Sequence, residues 1–325
     1  MNRICTIFIF LINASIALAQ KVYVTPGTTS NMYHKTAECN KLKSVGSTSF
    51  SISIQQAKSI GKKACDVCYS VKGIQNKQPT ISTSKNSSKQ IDNHASFSTA
   101  NIEIPSTSSK VQSQLINHVG YTTSYNSSWL IPNWVAYCLT AEEVAGTFSR
   151  SQNQFEPDPL VKGKTSVSRD YSNSGYSRGH MAPAADMKWS KQAMSESFYL
   201  SNICPQIAEF NSGIWERLER RCRALAGESD LYICCGPIVS GTPKRIGDNK
   251  VAVPTGFYKV LCMNRNGRWQ AIGFIFPNNI CKGSMFDYSC SVDEVEKTTG
   301  HNFFHNLPDD IENVIESHFI IKEWQ

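Results

Sequence analysis

What this 325-residue sequence lacks narrows its class before any motif is considered. Beyond the N-terminal residues it contains no run of about 20 apolar residues, the length that a transmembrane helix needs. It contains no internal repeat and no long run of like charges, so neither a repeat array nor a charged tail is expected. Neither sign of charge dominates strongly, since 33 Lys and Arg against 26 Asp and Glu give a net charge of +7. That surplus suits contact with a polyanion without requiring it.

The N-terminal segment MNRICTIFIFLINASIALAQ has the pattern of a cleaved secretory signal. Arg3 precedes an apolar run that is too short to span a bilayer, and the small residues Ala17 and Ala19 precede a cleavage site before Gln20. No cysteine follows that site to carry a lipid. We therefore expect a signal peptide over residues 1–19 and a secreted or periplasmic protein with no membrane span.

The rest of the chain predicts a small module, a linker and one large domain, because 325 residues exceed the usual size of a single hydrophobic core. Residues 20–70 form the module, with KVYVT as a strand and SISIQQAKSIG as a helix ending near Gly61. Residues 71–110 are rich in Ser, Thr, Asn, Gln and Lys, so we expect a flexible linker there. Residues 111–325 have the apolar density of a full domain.

Residues 111–325 carry both strand and helix patterns. Runs of β-branched and aromatic residues at WVAYCLT, LYICCGPIV, FYKVLC and WQAIGFIFP predict the strands of a sheet. The segment NSGIWERLERRCRALAG has apolar residues at helical spacing and Gly227 placed to end the helix. The predicted fold class is α+β.

Twelve cysteines fit an exported protein, because disulfides persist outside the reducing cytoplasm. Cys5 leaves with the signal peptide. Three of the other eleven lie in the small module, and the eight in the large domain can all pair among themselves. Those eight are Cys138, Cys204, Cys222, Cys234, Cys235, Cys262, Cys281 and Cys290.

The three cysteines of the module lie with a histidine in a pattern that suits a metal ion. His34, Cys39, Cys65 and Cys68 together offer a closed tetrahedral Zn²⁺ site. A disulfide between two of the cysteines, with the third free, is the alternative. Four protein ligands leave no open position, so a zinc ion there is expected to be structural. A module with so few apolar residues needs a cross-link, either a metal ion or a disulfide, to be stable.

The segment GYSRGHMAPAAD, residues 175–186, concentrates groups suited to phosphate chemistry. Arg178 is of the type that binds phosphate, and Gly179 lets the backbone approach a ligand closely. Pro183 can end a strand so that His180 lies at its edge. The alternative is a histidine that merely hydrogen-bonds to a neighbour.

A second cluster follows about thirty residues later, in SNICPQIAEFNSGIWERLE. Asn211 opens the predicted helix, and Glu219 lies eight residues further on, close to two turns of about 3.6 residues each. Asn211 is either an N-cap or an oxygen ligand of Mg²⁺, a hard ion that keeps several waters and takes few protein ligands. A carboxylate such as Glu219 can hold one of those waters.

Taken together, these segments resemble the DNA/RNA non-specific endonucleases of the ββα-metal class, which include secreted bacterial nucleases and mitochondrial endonuclease G. The resemblance covers about two thirds of the chain and rests on WVAYCLT, SRGHMAPAAD, SNICPQ, FNSGIWERLE, LYICCGPIV and VPTGFYKV, in the family's order and at similar spacing. It implies a central antiparallel sheet with flanking helices. It also implies an endonuclease that hydrolyses the phosphodiester bonds of DNA and RNA with little sequence preference and leaves 5′-phosphates.

The resemblance implies a role for each matching residue. His180 matches the general base, and Arg178 matches the arginine beside it that contacts phosphate. Asn211 matches the single protein ligand of Mg²⁺, for which Mn²⁺ or Ca²⁺ can substitute, and Glu219 matches the carboxylate that holds a metal-bound water. Arg150, in FSRSQNQF, looks like the family's second transition-state arginine.

Other matching positions shape the site or depart from the pattern. Arg223 resembles a further site arginine, with a solvated helix face as the alternative. Asn202 and Gln206 match polar residues that shape the site. The family's motif most often begins with aspartate where this chain has Ser177, which loses a negative charge and is expected to alter metal affinity or rate. The rival hypothesis is therefore a catalytically impaired nucleic-acid-binding protein that retains the fold.

Overall fold

The structure, a computed structural model, describes residues 21–24, 32–35, 39–43, 50–53, 57, 62–69, 101–109, 111–150 and 154–325. The chain divides into two compact units, Met1–Ala100 and Asn101–Gln325. The predicted signal peptide and most of the predicted linker lie outside the described residues.

The first unit consists of short elements. In chain order they are β1 (Lys21–Val24), β2 (Met32–Tyr33), α1 (Asn40–Lys43), β3 (Phe50–Ser53), β4 (Lys63–Ala64) and α2 (Asp66–Tyr69). β1 pairs antiparallel with β3, and β2 pairs parallel with β4. The strand predicted at KVYVT is confirmed. The helix predicted over SISIQQAKSIG is wrong at its start, because Ser and Ile alternate there with the period of a strand and pair with β1.

The second unit mixes strands and helices. Its strands are β5 (Ser106–Thr107), β6 (Gln114–Asn117), β7 (Thr122–Asn126), β8 (Ile131–Leu139), β9 (Ser177–His180), β10 (Ile203–Gln206), β11 (Leu231–Ile238), β12 (Arg245–Ile246), β13 (Val251–Ala252), β14 (Gly256–Arg265), β15 (Arg268–Pro277), β16 (Ser289–Cys290) and β17 (His301–Asn302). Its α-helices are α3 (Ala141–Val144), α4 (Lys191–Glu196), α5 (Ala208–Phe210), α6 (Glu216–Ala226), α7 (Val292–Thr299) and α8 (Asp309–Ser317).

Seven strands form one antiparallel sheet in the order β16, β15, β14, β11, β8, β7, β6. The four strongly apolar runs of the sequence are β8, β11, β14 and β15, so those predicted strands are confirmed. Every residue from Leu231 to Pro237 in β11 is buried, which requires cover on both faces because successive side chains point to opposite sides. The α+β class with a central antiparallel sheet is confirmed.

The helix that carries Asn211 and Glu219 packs against this sheet through aromatic rings. The ring centroids of Phe210 and Phe257 lie 5.5 Å apart, and those of Trp215 and Phe257 lie 5.8 Å apart. All three side chains are fully buried. Aromatic packing of this kind fixes where the helix lies relative to β14, since Phe257 belongs to that strand.

The helical segment starts earlier than the sequence predicted. It runs through α5, a π-helical turn at Asn211–Trp215 that is kinked at Gly213, and α6. The Asn211 amide nitrogen donates to the Ile207 carbonyl oxygen at 2.9 Å, so Asn211 already lies inside the helix. The N-cap interpretation of Asn211 is therefore wrong. π-turns within helices are frequent at functional sites.

The second unit begins within the predicted linker. Ile102 is fully buried, and β5 pairs antiparallel with β17 near the other end of the unit. Residues 101–107 are therefore folded in this unit, ten residues before the predicted boundary at 111.

None of the eleven cysteines in the described part of the chain is joined in a disulfide. The sheet register separates some of the expected partners. Cys138 and Cys262 lie opposite Tyr232 on its two sides, in β8 and β14. Two strand spacings of about 4.8 Å place them farther apart than the ~7 Å limit of a disulfide. The pairing expected among the eight cysteines of this unit is not formed here.

No helix among the described residues is both long enough and apolar enough to cross a membrane.

Candidate active site

A two-stranded ribbon presents the central histidine. β9 and β10 pair antiparallel, with His180 opposite Ile203 at one end and Ser177 opposite Gln206 at the other. A Cβ added at Gly179 would lie 1.8 Å from the Gln206 side-chain oxygen. The close approach that requires glycine here is thus to Gln206, which is fully buried, and not to a ligand as the sequence suggested.

Asn202 holds the chain just after the histidine. Its Oδ1 accepts from the Ala182 amide at 2.8 Å, and its Nδ2 donates to the carbonyl oxygens of Ala182 at 2.9 Å and Ser197 at 2.8 Å. The side chain is fully buried, so water does not compete for these hydrogen bonds. Asn202 shapes the site by fixing the backbone next to His180, and it does so without presenting its amide to a ligand.

Aromatic rings surround the His180 imidazole. Its centroid lies 5.3 Å from that of Phe155 and 5.2 Å from that of Phe198, which meets it edge to face. Its Nε2 is buried and has no hydrogen-bond partner among the described residues. Burial, together with the nearby Arg150 charge, lowers the pKa of His180 to about 3. The imidazole is therefore neutral at physiological pH and has an unused nitrogen that can accept a proton.

The same rings place two arginines beside the histidine. The Arg178 guanidinium carbon lies 5.7 Å from the Phe155 centroid, and that of Arg150 lies 5.5 Å from the Phe198 centroid. Arg178 is also held by a 2.6 Å hydrogen bond to the Ser168 carbonyl oxygen. The structure thus brings His180, Arg178 and Arg150 together. No local pattern pointed to the two phenylalanines, because they lie far from each other along the chain.

A hydrogen bond ties the helix to the ribbon. The Trp215 indole nitrogen donates to the His180 carbonyl oxygen at 3.4 Å, so the π-turn that begins at Asn211 lies next to the histidine's backbone. The Asn211 side chain makes no hydrogen bond within the part of the chain that the structure describes. Its amide oxygen is therefore available to a ligand.

Glu219 lies in a setting that disfavours its charged form. Burial raises the pKa of Glu219 to about 8, with Asp186 and Glu216 adding to the rise and Lys259 and Arg223 opposing it. A carboxylate removed from water in this way favours a cation as its neighbour. Glu219 and Asn211 together offer the oxygen ligands that a hard divalent ion prefers.

Arg223 is not a solvated helix residue. Its Nη1 donates to Asp186 Oδ1 at 2.8 Å, and the Tyr137 hydroxyl donates to Asp186 Oδ2 at 2.8 Å. Asp186 is fully buried, and the Arg223 side chain is 19% exposed. Burial alone would lower the pKa of Arg223, but the Asp186 charge raises it. The solvated alternative is wrong, and Asp186 is a site-supporting residue that sequence reasoning missed although the motif contains it.

Lys259 is a second residue that sequence reasoning missed. It is fully buried in β14, and its Nζ lies 4.6 Å from the Trp215 ring centroid. Burial alone would lower the pKa of Lys259, but Cys235, Cys222, Glu219 and Asp186 together raise it. Its position within FYKVLC resembled an ordinary strand residue, because nothing local distinguishes a buried lysine from one on a strand's solvent face. The lysine supplies positive charge next to Glu219.

Ser177 is half-buried at the start of β9, opposite Gln206. The four module residues His34, Cys39, Cys65 and Cys68 lie in the first unit, where their ligand atoms are all within 4.8 Å of one another. The predicted site residues therefore form two sets, with the four module residues in the first unit and the proposed nuclease residues in the second.

Comparisons with known proteins point to one family. Residues 98–310 match the family model described as DNA/RNA non-specific endonuclease. The mitochondrial nuclease EXOG of Danio rerio is 40% identical over 208 residues, which cover 59% of this chain and 60% of that protein. The mitochondrial endonuclease G of Bos taurus is 31% identical over 209 residues, covering 60% of this chain and 70% of that protein. This chain thus spans only 60% of the length of its Danio rerio relative.

The structural comparison agrees. A chain in the crystal structure of the EndoG/EndoGI complex, solved to explain EndoG inhibition, superposes with a TM-score of 0.59 at 31% sequence identity. The match covers 62% of this chain and 89% of that chain.

Proposed function

Because this chain belongs to the DNA/RNA non-specific endonuclease family, we propose that it is a metal-dependent endonuclease that hydrolyses phosphodiester bonds of DNA and RNA with little sequence preference. The observation that carries the proposal is the neutral His180 imidazole with its unpartnered Nε2. It lies in an aromatic cage, formed by Phe155 and Phe198, that also contacts two arginines. That arrangement suits proton transfer next to a phosphate.

His180 acts as the general base. Its Nε2 takes a proton from the water that attacks phosphorus, because this nitrogen has no other hydrogen-bond partner among the described residues. Arg178 and Arg150 add fixed positive charge where negative charge grows on the phosphate oxygens in the transition state. Their guanidinium groups are held in place by the rings they stack against, so little reorganisation is needed during the reaction.

Asn211 and Glu219 fit a divalent ion, with Asn211 as direct oxygen ligand and Glu219 holding a bound water. The free Asn211 amide and the desolvated Glu219 carboxylate support this assignment. A bound Mg²⁺ would supply positive charge that stabilises the negative charge growing during phosphodiester cleavage. Mn²⁺ or Ca²⁺ can occupy the same oxygen ligands. The positive charges of Lys259 and Arg223 favour the ionised form of Glu219.

Each residue of this set is assigned to the phosphate, the metal ion or the attacking water, and none to a base edge. Phosphate contacts fix the position of a nucleic acid and carry no sequence information, which supports a nuclease with little sequence preference. By likeness to the family, the products carry 5′-phosphates.

The test is cleavage of circular plasmid and of an unrelated RNA by the full chain, with Mg²⁺ and with EDTA. His180→Ala is compared with His318→Ala, which replaces an exposed histidine outside the site. We expect both substrates to be degraded only with metal, and by the wild type and His318→Ala but not by His180→Ala. Undiminished cleavage by His180→Ala would remove the general-base assignment.

The same experiment separates the rival function, a nucleic-acid-binding protein that has lost catalysis. Ser177, where the family most often has aspartate, is the observation that favours it. If the wild type binds plasmid and RNA without cutting either at any metal concentration, the rival replaces the nuclease.

We also propose export, on the N-terminal sequence alone, since those residues lie outside the described part of the chain. Sequencing the N-terminus of protein recovered from its native cells tests this. A start near Gln20 supports a cleaved signal, and retention of Met1 contradicts it.

A further inference from the structure

The first unit brings one histidine and three cysteines to a single point by its strand pairing. The Cys65 amide nitrogen donates to the Tyr33 carbonyl oxygen at 3.0 Å, so the ends of the parallel strands β2 and β4 place Cys65 next to His34. Cys39 lies at the start of α1, where its carbonyl oxygen accepts from the amides of Leu42 and Lys43. Cys68 lies in α2, one turn after Cys65.

The distances between these side chains are those of ligands around an ion. The Sγ atoms of Cys39 and Cys65 lie 3.9 Å apart, and Cys68 Sγ lies 3.8 Å from His34 Nδ1. A tetrahedral zinc ion, about 2.3 Å from sulfur and about 2.0 Å from nitrogen, separates two sulfurs by about 3.8 Å and a sulfur from a nitrogen by about 3.5 Å. A disulfide would join two sulfurs at about 2.05 Å. The arrangement therefore matches a shared ion more closely than a bonded pair.

Burial supports the same conclusion. His34 and Cys65 are fully buried and Cys39 is 8% exposed. Polar groups removed from water without partners are costly, and a bound cation would compensate them.

The apolar contacts around the cluster are few. Within the described residues, the cysteines pack with Leu42, Tyr23 and Met32. A core of this size seldom holds a domain together, and small domains compensate with metal ions or disulfides. The cluster therefore lies where a small fold most needs a cross-link.

We propose that His34, Cys39, Cys65 and Cys68 bind one structural Zn²⁺ ion. Four protein ligands complete the tetrahedral shell, so no position remains for water or substrate. The site uses none of the residues assigned to the nuclease and does not depend on that function being correct.

The test is the metal content of the full chain. The protein is purified without chelator or added zinc, and its zinc is measured by elemental mass spectrometry. We expect one zinc per chain in the wild type, and its loss in Cys65→Ser and His34→Ala. Cys281→Ser is the matched control, because Cys281 is a partly exposed cysteine outside the cluster. Zinc content that is unchanged in both cluster variants would overturn the proposal.

Because the cluster variants can fail to fold, a second measurement uses only the wild type. The protein is alkylated under non-reducing conditions before and after removal of metal by a strong chelator, and its peptides are then mapped. We expect Cys39, Cys65 and Cys68 to be protected before chelation and alkylated after it. A disulfide-linked peptide among these three cysteines, in protein without zinc, would overturn the proposal. Neither measurement depends on cleavage of nucleic acid, so its outcome is independent of the nuclease test.

Discussion

At the scale of single residues, the candidate site is a set of polar and charged groups. Side chains that take no part in the proposed reaction hold them in position. His180 and its two arginines share Phe155 and Phe198 as common neighbours. The aromatic cage removes the imidazole from water, and this desolvation determines its protonation state more than any hydrogen bond does.

The titration of His180 tests the cage directly. Its pKa in the folded protein is lowered to about 3, so the base form is present at any pH well above that value and is lost only as pH falls through it. We expect the His180 ring signals in a heteronuclear NMR titration to stay constant from pH 8 to pH 5. In Phe198→Ala, where water reaches the ring, the pKa should rise toward the ordinary value of about 6.5.

The resonance that is missing in His180→Ala identifies the His180 signal. A wild-type His180 that titrates near the ordinary histidine value of about 6.5 would contradict the desolvated cage.

The contact between Gly179 and Gln206 gives a second test at this scale. Gly179→Ala places a Cβ against the Gln206 side chain and should cost about 1–3 kcal/mol of folding free energy, as overpacking of a core does. Adding Gln206→Ala removes the clashing atoms, so we expect the double variant to be more stable than Gly179→Ala in urea unfolding. A double variant no more stable than the single one would place the strain in the β9 backbone and not in this contact.

At the scale of elements, the site depends on how the ribbon and the helix are joined. One link is the hydrogen bond from Trp215 to His180, and another is the ion pair from Arg223 in α6 to Asp186, just after the ribbon. Both links cross between segments that are distant in sequence. The relative position of base and proposed metal ligands is therefore set by tertiary contacts.

Asp186→Asn tests the second link. It leaves the Arg223 guanidinium partly buried without its counter-charge, and we expect the free energy of unfolding to fall by about 3 kcal/mol. The control is Asp248→Asn, which breaks the ion pair with Arg169 where both side chains are 81% exposed and should change stability little. Equal losses in the two variants would show that the buried pair has no special role.

Features of this fold that depend on local composition could be predicted from the sequence, and those that depend on contacts between distant segments could not. Runs such as LYICCGPIV predicted their strands, because buried β-structure has a local composition. The start of the helix at Ala208 was missed, since Asn211 resembles an N-cap and nothing local signals a π-turn. Phe155, Asp186 and Lys259 were missed because their importance lies in contacts with distant residues. The resemblance supplied candidates for the base and the metal ligands, but not the groups that hold them.

At the scale of the whole molecule, electrostatics should govern how nucleic acid binds. The chain carries a net charge of +7, and the proposed contacts are to phosphate. Binding to phosphates releases counterions, so affinity falls linearly with salt on logarithmic axes. The charge surplus thus supports binding that depends on the polymer's backbone and not on its bases.

We expect His180→Ala in EDTA, which does not cleave, to bind two unrelated DNA duplexes with equal affinity and with the same negative salt slope in fluorescence anisotropy. Adding Arg178→Ala should weaken binding to both duplexes equally and make the slope shallower by about one, the contribution of one phosphate contact. A duplex that keeps its affinity as salt rises, or one preferred strongly over the other, would contradict a backbone-directed enzyme.

The π-turn at Asn211–Trp215 has a consequence for the angular register of the helix. In a regular α-helix, eight residues at roughly 100° each leave the first and last side chains about 80° apart around the axis. A π-turn accommodates one more residue per hydrogen-bonded loop, so each residue rotates less and that offset shrinks. A π-turn thus brings the side-chain directions of Asn211 and Glu219 closer together around the helix axis than a regular α-helix would.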